Sequence, residues 1–255
     1  MSQAFFELKG GEFLPAPHAH SPWSPDMLHG RLLGGLAARC LELEHRSDGL
    51  RFARLTVDLF KNSPLLPVRV ETVRVRDGRR IRVADATLST GQGVIGRASA
   101  VLLREGEQPG GERNDTPAWG ERPPSRPPAE LDWRPPFDLW RLTAWDTAGP
   151  RRVWMRENRP LVGQEELSPF TRAGLAADFA SPLSGSGTLG VQFINADFTL
   201  TLAREPAGEL IGMQAAGHLS ADGIGTGDCV LHDADGPIGY CVVTAVANPV
   251  PLGAG

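Results

Sequence analysis

The chain repeats the same order of residues about 143 positions later, and this repeat limits its fold more than any other feature. Each half has a Ser-Pro pair, then a strand-like stretch, then a turn flanked by two glycines. The matched segments are Ser24-Pro25 with Ser168-Pro169, residues 53–61 with 196–204, and residues 93–96 with 236–239. A shared order at a nearly constant offset predicts a duplicated fold. Such a fold has one site in each half or one site between the halves.

Composition excludes several classes of protein. The net charge of -4 and the pI near 5.9 argue against nucleic acid as a partner, because a dedicated nucleic-acid binder needs a basic face. The cysteines are Cys40, Cys229 and Cys241, an odd number without a paired-ligand spacing, which is typical of buried thiols in a reducing cytoplasm. No apolar run approaches the ~20 residues that span a bilayer, so we expect no membrane span.

The pattern of each half predicts one helix followed by a run of strands. Ser24 is a suitable N-cap and Pro25 suits a first turn, which predicts a helix over residues 26–44; its many glycines and alanines would let it lie close to a sheet. A second helix is expected at 169–180. Strands are predicted at 4–8, 51–61, 67–76, 79–89, 94–104, 139–156, 189–204, 209–220, 227–233 and 238–246. Helices grouped apart from antiparallel strands indicate an α+β fold.

Two hairpins and a linker complete this organisation. Asp77-Gly78 and Asp222-Gly223 are hairpin turn signals at corresponding places in the two halves. Prolines crowd residues 106–136, and proline at that density opposes both helix and central strand, which predicts an extended crossing segment. We therefore expect an N-terminal domain at 1–105, a linker at 106–136 and a C-terminal domain at 137–255.

The order of elements resembles that of the double-hotdog acyl-CoA thioesterases of type II. The residues that carry the likeness are Trp23-Ser24-Pro25-Asp26-Met27-Leu28-His29-Gly30, Asp178-Phe179, Asn195-Ala196-Asp197-Phe198-Thr199 and Leu231-His232-Asp233. The resemblance covers nearly the whole chain apart from the linker. It implies two tandem hotdog domains, each an antiparallel sheet wrapped around a central helix.

The same resemblance implies catalytic residues in the second hotdog. The aspartate of the family's central helix corresponds to Asp178, and the polar residue of the following strand corresponds to Asn195. The family's glutamine should fall at Val243 or Thr244, and neither is glutamine. Thr244 could supply a hydroxyl in place of that amide. Each residue also has a purely structural alternative. Asp178 could be a solvent-facing carboxylate, Asn195 could make a turn bond to the backbone, and Thr244 could be an ordinary strand threonine.

The start of the first helix is the candidate site for binding the thioester carbonyl. Hotdog enzymes commonly meet the oxyanion with a backbone N–H at a helix N-terminus, which places Gly30 and His29 at the substrate. His29 could equally be a structural cap or a packing residue. His18 and His20 have no third ligand at a useful spacing, so we expect no metal, and no cofactor is implied.

The leading functional hypothesis is hydrolysis of an acyl-CoA by an activated water, with the fatty chain in a tunnel between the sheet and the central helix. The alternative is an acyl-CoA-binding protein that has lost turnover, which the missing glutamine favours. A hotdog hydratase is a weaker third hypothesis, because the second helix has no histidine for a His-Asp pair. The first hotdog is expected to be a scaffold, with Phe52 corresponding to Asn195 and Ala100 to Val243. A homodimer is expected because hotdog sheets leave a long edge.

Overall fold

The computed structural model describes residues 3–129, 135–145 and 149–252. Its helices are α1 (Gly30–His45), α2 (Pro169–Ala177) and α3 (Ala180–Gly185), with a 3₁₀ turn at Pro17–Ala19. Its strands are β1 (Phe6–Lys9), β2 (Glu12–Pro15), β3 (His20–Ser21), β4 (Ser24–Leu28), β5 (Leu50–Leu59), β6 (Arg69–Asp77), β7 (Ile81–Thr90), β8 (Gly93–Arg104), β9 (Asp138–Arg141), β10 (Arg152–Arg156), β11 (Ser186–Gly187), β12 (Gly190–Asn195), β13 (Asp197–Leu202), β14 (Leu210–Ala221), β15 (Ile224–Asp233) and β16 (Gly236–Leu252).

One long antiparallel sheet runs through both halves of the chain. Its order is β6-β7-β8-β5-β13-β16-β15-β14-β10-β9, and β5 and β13 join the half before the linker to the half after it. The helices pack on its inner face, where they share one core with the inward side chains of both halves. The predicted α+β fold with two helix-and-sheet units is confirmed.

The two halves are related by an approximate two-fold axis that passes between β5 and β13. Thr56 of β5 lies opposite Thr199 of β13, and their hydroxyl oxygens are 3.1 Å apart. These residues are 143 positions apart, which is also the offset of the sequence repeat. A strand pair in which a residue faces its own counterpart is what an approximate two-fold axis produces. The repeat in the sequence therefore marks this axis.

The central helices pack through their glycines and lie antiparallel. A Cβ built on Gly34 of α1 would lie 2.7 Å from Phe198 Cζ and 3.1 Å from the Gly174 carbonyl oxygen. The start of α1 adjoins the end of α2, where Gly30 faces Asp178, and the last turns of α1 adjoin Ser168, which precedes α2. The glycines predicted to allow close approach do so at this crossing.

The predicted start of the first helix is wrong. Ser24 and Pro25 lie in β4, and α1 begins only at Gly30, with His29 in the N-cap position. Tertiary pairing keeps the segment extended: β4 pairs with β3, and Leu28 N–H donates to the Ser63 carbonyl oxygen at 2.8 Å. In the second half the prediction holds, because Ser168 accepts a hydrogen bond from Thr171 N–H at 3.0 Å and α2 begins at Pro169.

Three other predicted elements are divided, among them the strand expected at 189–204, which is β12 and β13 on either side of Ala196. The helix expected at 169–180 ends as α2 at Ala177 and resumes as α3, so Asp178 lies at the break between them. The strand expected at 139–156 is the pair β9 and β10, and residues 146–148 between them lie outside the described part of the chain. The turn at Asp222-Gly223 has φ values of 51° and 78°, as a tight hairpin of this type requires.

The described part of the linker has no strand or helix and crosses the outer face of the second half. The Thr116 hydroxyl contacts the Tyr240 hydroxyl on β16, and the Trp119 ring stacks on His232 of β15 with 4.5 Å between centroids. Further along, Trp140 Nε1 of β9 donates to the Arg126 carbonyl oxygen at 2.7 Å. Residues 130–134 of the predicted linker lie outside the described part, and the division into three segments stays a prediction. Among the helices that the structure describes, none is long and apolar enough to cross a membrane.

Candidate active site

Asp178 and Asn195 lie together in the second half, as predicted. Asp178 is the C-cap of α2, and Asn195 is the last residue of β12. The Asn195 Nδ2 atom donates a hydrogen bond to Asp178 Oδ1 at 2.8 Å. Asp178 is 7 % exposed, so the solvent-facing alternative for this carboxylate is wrong.

Burial raises the pKa of the Asp178 carboxyl, because a charged form loses hydration inside the protein. The hydrogen bond from Asn195 and the positive charge of Arg31 act in the opposite direction and lower this pKa. The result is a carboxylate that is held in place and is more basic than an ordinary aspartate. These are the properties of a group that accepts a proton from water.

The first turn of α1 closes against this carboxylate. A Cβ built on Gly30 would lie 3.5 Å from Asp178 Oδ1 and 3.8 Å from Oδ2, an ordinary contact distance, so the first turn of the helix lies next to the carboxylate. No described residue accepts a hydrogen bond from the amides of Gly30 and Arg31. Free amides at a helix N-terminus carry partial positive charge and attract an anion or a polarised carbonyl.

His29 lies in the N-cap position but does not cap the helix with its side chain. Burial, followed by the positive charges of Arg31 and His20, lowers the pKa of His29 to about 3. The ring is therefore neutral at physiological pH, with one nitrogen able to donate and the other able to accept. The alternative of a side-chain cap does not hold, whereas a packing role stays open.

These groups surround a pocket of about 280 Å³ between the two halves. Its remaining lining is largely apolar, with a polar stretch at Lys61 and Asn62. The apolar side chains that line it are Trp23, Met27, Leu28, Leu33, Leu59, Phe60, Ile194 and Val246. An apolar pocket with a few convergent polar groups, one with a shifted pKa, is the ordinary form of a small-molecule site.

Thr244, the third predicted catalytic residue, lies outside this pocket. Its side chain is exposed on β16, and its backbone N–H donates to Asp197 Oδ1 at 2.8 Å. Val243, the other expected position, is 2 % exposed in the core. The residue of β16 that lines the pocket is Val246, opposite Ile194 in the β12–β16 pair. Counting along the repeat misses it because β16 changes partner from β13 to β12 along its length.

A buried ion pair beside the site was not anticipated. Arg31 follows Gly30 in α1 and pairs with Glu157, and their side chains are 2 % and 3 % exposed. The Arg31 guanidinium carbon lies 4.8 Å from the centre of the Phe137 ring and 5.6 Å from that of Phe5. This fixed positive charge acts on both Asp178 and His29. Sequence patterns give no signal for it, since its two members are 126 residues apart.

The first-half counterparts of Asn195 and Val243 are apolar. Phe52, the counterpart of Asn195 by the repeat offset, is 1 % exposed and stacks on Phe170 with 4.2 Å between ring centroids. Ala100, the counterpart of Val243, is fully buried. Two packed rings therefore occupy the place where the second half has an amide, as the expectation of a scaffold role implies.

Side chains of the sheet pack against two glycines of α1, in the region where the acyl tunnel is expected. Phe198, which is fully buried, packs directly against Gly34, and Leu59 packs against Gly30. The pocket therefore ends at the first turn of the helix among the residues described. The sequence could not indicate this packing. Glycines that would leave room for an acyl chain leave the same room for an aromatic ring from the sheet.

Family comparisons support the two halves separately. Residues 19–103 match the model of the acyl-CoA thioesterase N-terminal domain, and residues 108–247 match the model of the acyl-CoA thioesterase C-terminal domain. A search of curated proteins gives no significant match.

Solved structures with a similar fold extend over nearly the whole chain. The TesB protein of Mycobacterium avium subspecies paratuberculosis has a TM-score of 0.67 at 15% identity and covers 96% of each chain. A hot dog fold protein of unknown function from Alicyclobacillus acidocaldarius has a TM-score of 0.72 at 16% identity and also covers 96% of each chain. An acyl-CoA thioesterase II of Mycobacterium marinum has a TM-score of 0.64 at 14% identity and covers 97% of this chain and 95% of its own. At such identities the likeness extends to the fold, which is a double hotdog.

Proposed function

The chain belongs to the acyl-CoA thioesterase family, and from this we propose that it hydrolyses an acyl-CoA thioester to a free acid and coenzyme A. The observation that carries the proposal is the buried Asp178 carboxylate, hydrogen-bonded to Asn195 and next to Gly30 in the first turn of α1. Water supplies the oxygen of the acid, and the bond that breaks joins the carbonyl carbon to the sulfur of coenzyme A.

Asp178 and Asn195 hold the attacking water. Asp178 Oδ1 accepts from Asn195, which leaves Oδ2 on the same carboxylate to accept a hydrogen bond from the water. As the water oxygen bonds to the carbonyl carbon, its proton passes to Asp178, whose raised pKa favours this transfer. Collapse of the intermediate expels the thiolate, which takes up that proton and leaves as the free thiol.

The N-terminus of α1 stabilises the negative charge on the carbonyl oxygen. The amides of Gly30 and Arg31 have no described acceptor, and the buried Arg31 side chain adds a positive charge nearby. Removing one oxyanion donor costs about 10²–10³ in kcat in enzymes where it has been measured, so this end of the helix supplies a large share of the catalysis. Neutral His29 lies at the same end and contacts the substrate.

The second candidate function is an acyl-CoA-binding protein without turnover. The observation that favours it is Val246, an aliphatic residue at the place where β16 reaches the pocket. Thr244 offers no replacement, because it lies outside the pocket. In such a protein, Asp178, Asn195 and the N-terminus of α1 bind the thioester, and there is no third polar side chain to hold the water.

Release of coenzyme A from a panel of acyl-CoAs tests these functions. We expect turnover by the wild-type chain and a loss of about 10²-fold or more in Asp178→Asn, the usual contribution of a general base. The thiol reagent needs a protein-only control for Cys40, Cys229 and Cys241, although all three are buried and burial raises the pKa of Cys40 to about 11. Binding without turnover across the panel would favour the second function.

We also propose that the protein is a homodimer of the cytoplasm that serves lipid metabolism. The sheet ends at β6 on one side and β9 on the other, and the outward faces of β6, β7 and β8 expose Val73, Ile81 and Leu103. Edges and exposed apolar side chains of this kind are commonly covered by a second copy. Light scattering during gel filtration is expected to give twice the mass of the 27.4 kDa chain.

A further inference from the structure

The inner wall of the candidate pocket is formed by two leucines, Leu59 and Leu33. A Cβ built on Gly30 would lie only 3.2 Å from Leu59 Cδ1, so the Leu59 side chain already contacts the backbone of the first helical turn. Leu33, one turn further along α1, is 2 % exposed and lines the same end of the pocket. An acyl chain that enters beside Asp178 therefore meets Leu59 and Leu33 directly behind the reacting carbonyl.

Beyond this wall, an aromatic ring of the sheet packs into the seam between α1 and the sheet. Phe198 of β13 approaches Gly34 so closely that a Cβ there would lie 2.7 Å from its ring, and the Gly174 carbonyl oxygen would lie at 3.1 Å. Phe198 is fully buried and belongs to the shared core. A chain longer than the pocket could extend only outward, past Phe60 and Val246, which are both more than half exposed. It would stay in water there and gain little from burial.

The volume of the pocket limits the length of the acyl chain that it can hold. Its volume is about 280 Å³, whereas sites for drug-sized ligands occupy about 300–1,000 Å³. A methylene group takes up nearly the volume of a water molecule, about 30 Å³ in the liquid, so roughly nine such groups fill the pocket, the thioester included.

We propose that the substrates are short or compact acyl-CoAs, with up to about eight acyl carbons or a single ring, and that Leu59 sets this limit. The proposal rests on the thioesterase function proposed above and names its substrate class. The apolar wall at Leu59 suits the acyl group.

The test compares kcat/KM for acetyl-, butyryl-, hexanoyl-, octanoyl-, lauroyl-, palmitoyl- and benzoyl-CoA, each below its micelle concentration. For the wild-type chain we expect the optimum at eight carbons or fewer and at least a tenfold fall by palmitoyl-CoA. Leu59→Ala should raise kcat/KM for lauroyl-CoA relative to hexanoyl-CoA at least about tenfold, since a methylene in an apolar pocket is worth about 10–200-fold. The matched control is Leu202→Ala, which removes the same atoms at the counterpart position of the repeat, where the residue is 4 % exposed and does not line the pocket.

The outcomes separate this proposal from the function on which it rests. Turnover that is fastest with lauroyl- or palmitoyl-CoA would keep the thioesterase function and overturn the size limit. An equal shift in Leu59→Ala and Leu202→Ala would overturn the role of Leu59. If no substrate is hydrolysed, the dissociation constants of the same acyl-CoAs decide: tighter binding of the short ones supports the size limit, and tighter binding of the long ones or none at all overturns it.

Discussion

The environment of Asp178 accounts for the proposed chemistry residue by residue. A buried carboxylate would resist ionisation, and the Asn195 hydrogen bond and the Arg31 charge offset this in part. The carboxylate is therefore a stronger base than an ordinary aspartate. Burial and the positive charges of Arg31 and His20 lower the pKa of His29 to about 3, so its ring is uncharged at neutral pH.

Asn195→Ala is expected to shift the pH profile of activity. Asp178 must be ionised to accept a proton, so kcat/KM falls as pH drops through the pKa of Asp178. Loss of the Asn195 bond removes one cause that lowers this pKa, so the acidic limb moves to higher pH. The maximal rate should also fall about tenfold or more, because a hydrogen bond to a charged group is worth about 1.5–3 kcal/mol. An acidic limb at the wild-type position would mean that another group titrates.

Val246→Gln is expected to raise kcat, whereas Thr244→Gln is not. The two residues are two positions apart on one strand, yet Val246 lines the pocket and Thr244 does not. Val246→Gln adds an amide within the site and should raise kcat several-fold, whereas Thr244→Gln should leave kcat within about twofold of the wild type. Steady-state release of coenzyme A by both variants gives the comparison. A gain in Thr244→Gln alone would show that the pocket has been assigned to the wrong part of β16.

At the scale of elements, tertiary contacts decided what the sequence pattern left ambiguous. The hairpin signals and most strands follow from local turn chemistry and alternation, which act over a few residues. Ser24-Pro25 has the same local signature as Ser168-Pro169 and yet lies in β4, because β3 and Ser63 satisfy its backbone from outside. The described part of the linker has no helix or strand, and its path across β16 and β15 involves Trp119, which no periodicity identifies.

Gly212→Ala is expected to displace the linker from the outer face of the sheet. A Cβ at Gly212 would lie 2.3 Å from Trp119 Cζ2 and 3.0 Å from Trp154 Cζ3, and the Trp119 ring is also stacked on His232. The indole must then move into water, which should shift tryptophan emission to the red and expose the linker to limited proteolysis. Gly185→Ala is the matched control, since its Cβ would meet only Phe193 Cβ at an ordinary 3.7 Å. Equal protease resistance of both variants would contradict this packing.

For the whole molecule, the sequence repeat predicted the duplicated architecture. The structure shows where the approximate two-fold axis between the two halves lies. The pairing of Thr56 with Thr199 joins both halves into one sheet and brings the start of α1 to the end of α2. Residues from both copies therefore form one pocket, with Gly30 and His29 from the first and Asp178 and Asn195 from the second. The sequence could place these four by resemblance but not the position of β16 or the packing of Phe198 against α1, because both depend on long-range packing.

The most direct test of the account compares two buried carboxylates at opposite ends of the helix pair. Asp178 is 7 % exposed at the pocket, and Glu42 is 8 % exposed at the other end, where it accepts a hydrogen bond from the Ser168 hydroxyl. The measurement is kcat for a short acyl-CoA in Asp178→Asn and in Glu42→Gln, with folding of each checked by circular dichroism. The account predicts a loss of about 10²-fold or more in Asp178→Asn alone. Wild-type kcat in folded Asp178→Asn, or an equal loss in both variants, would contradict it.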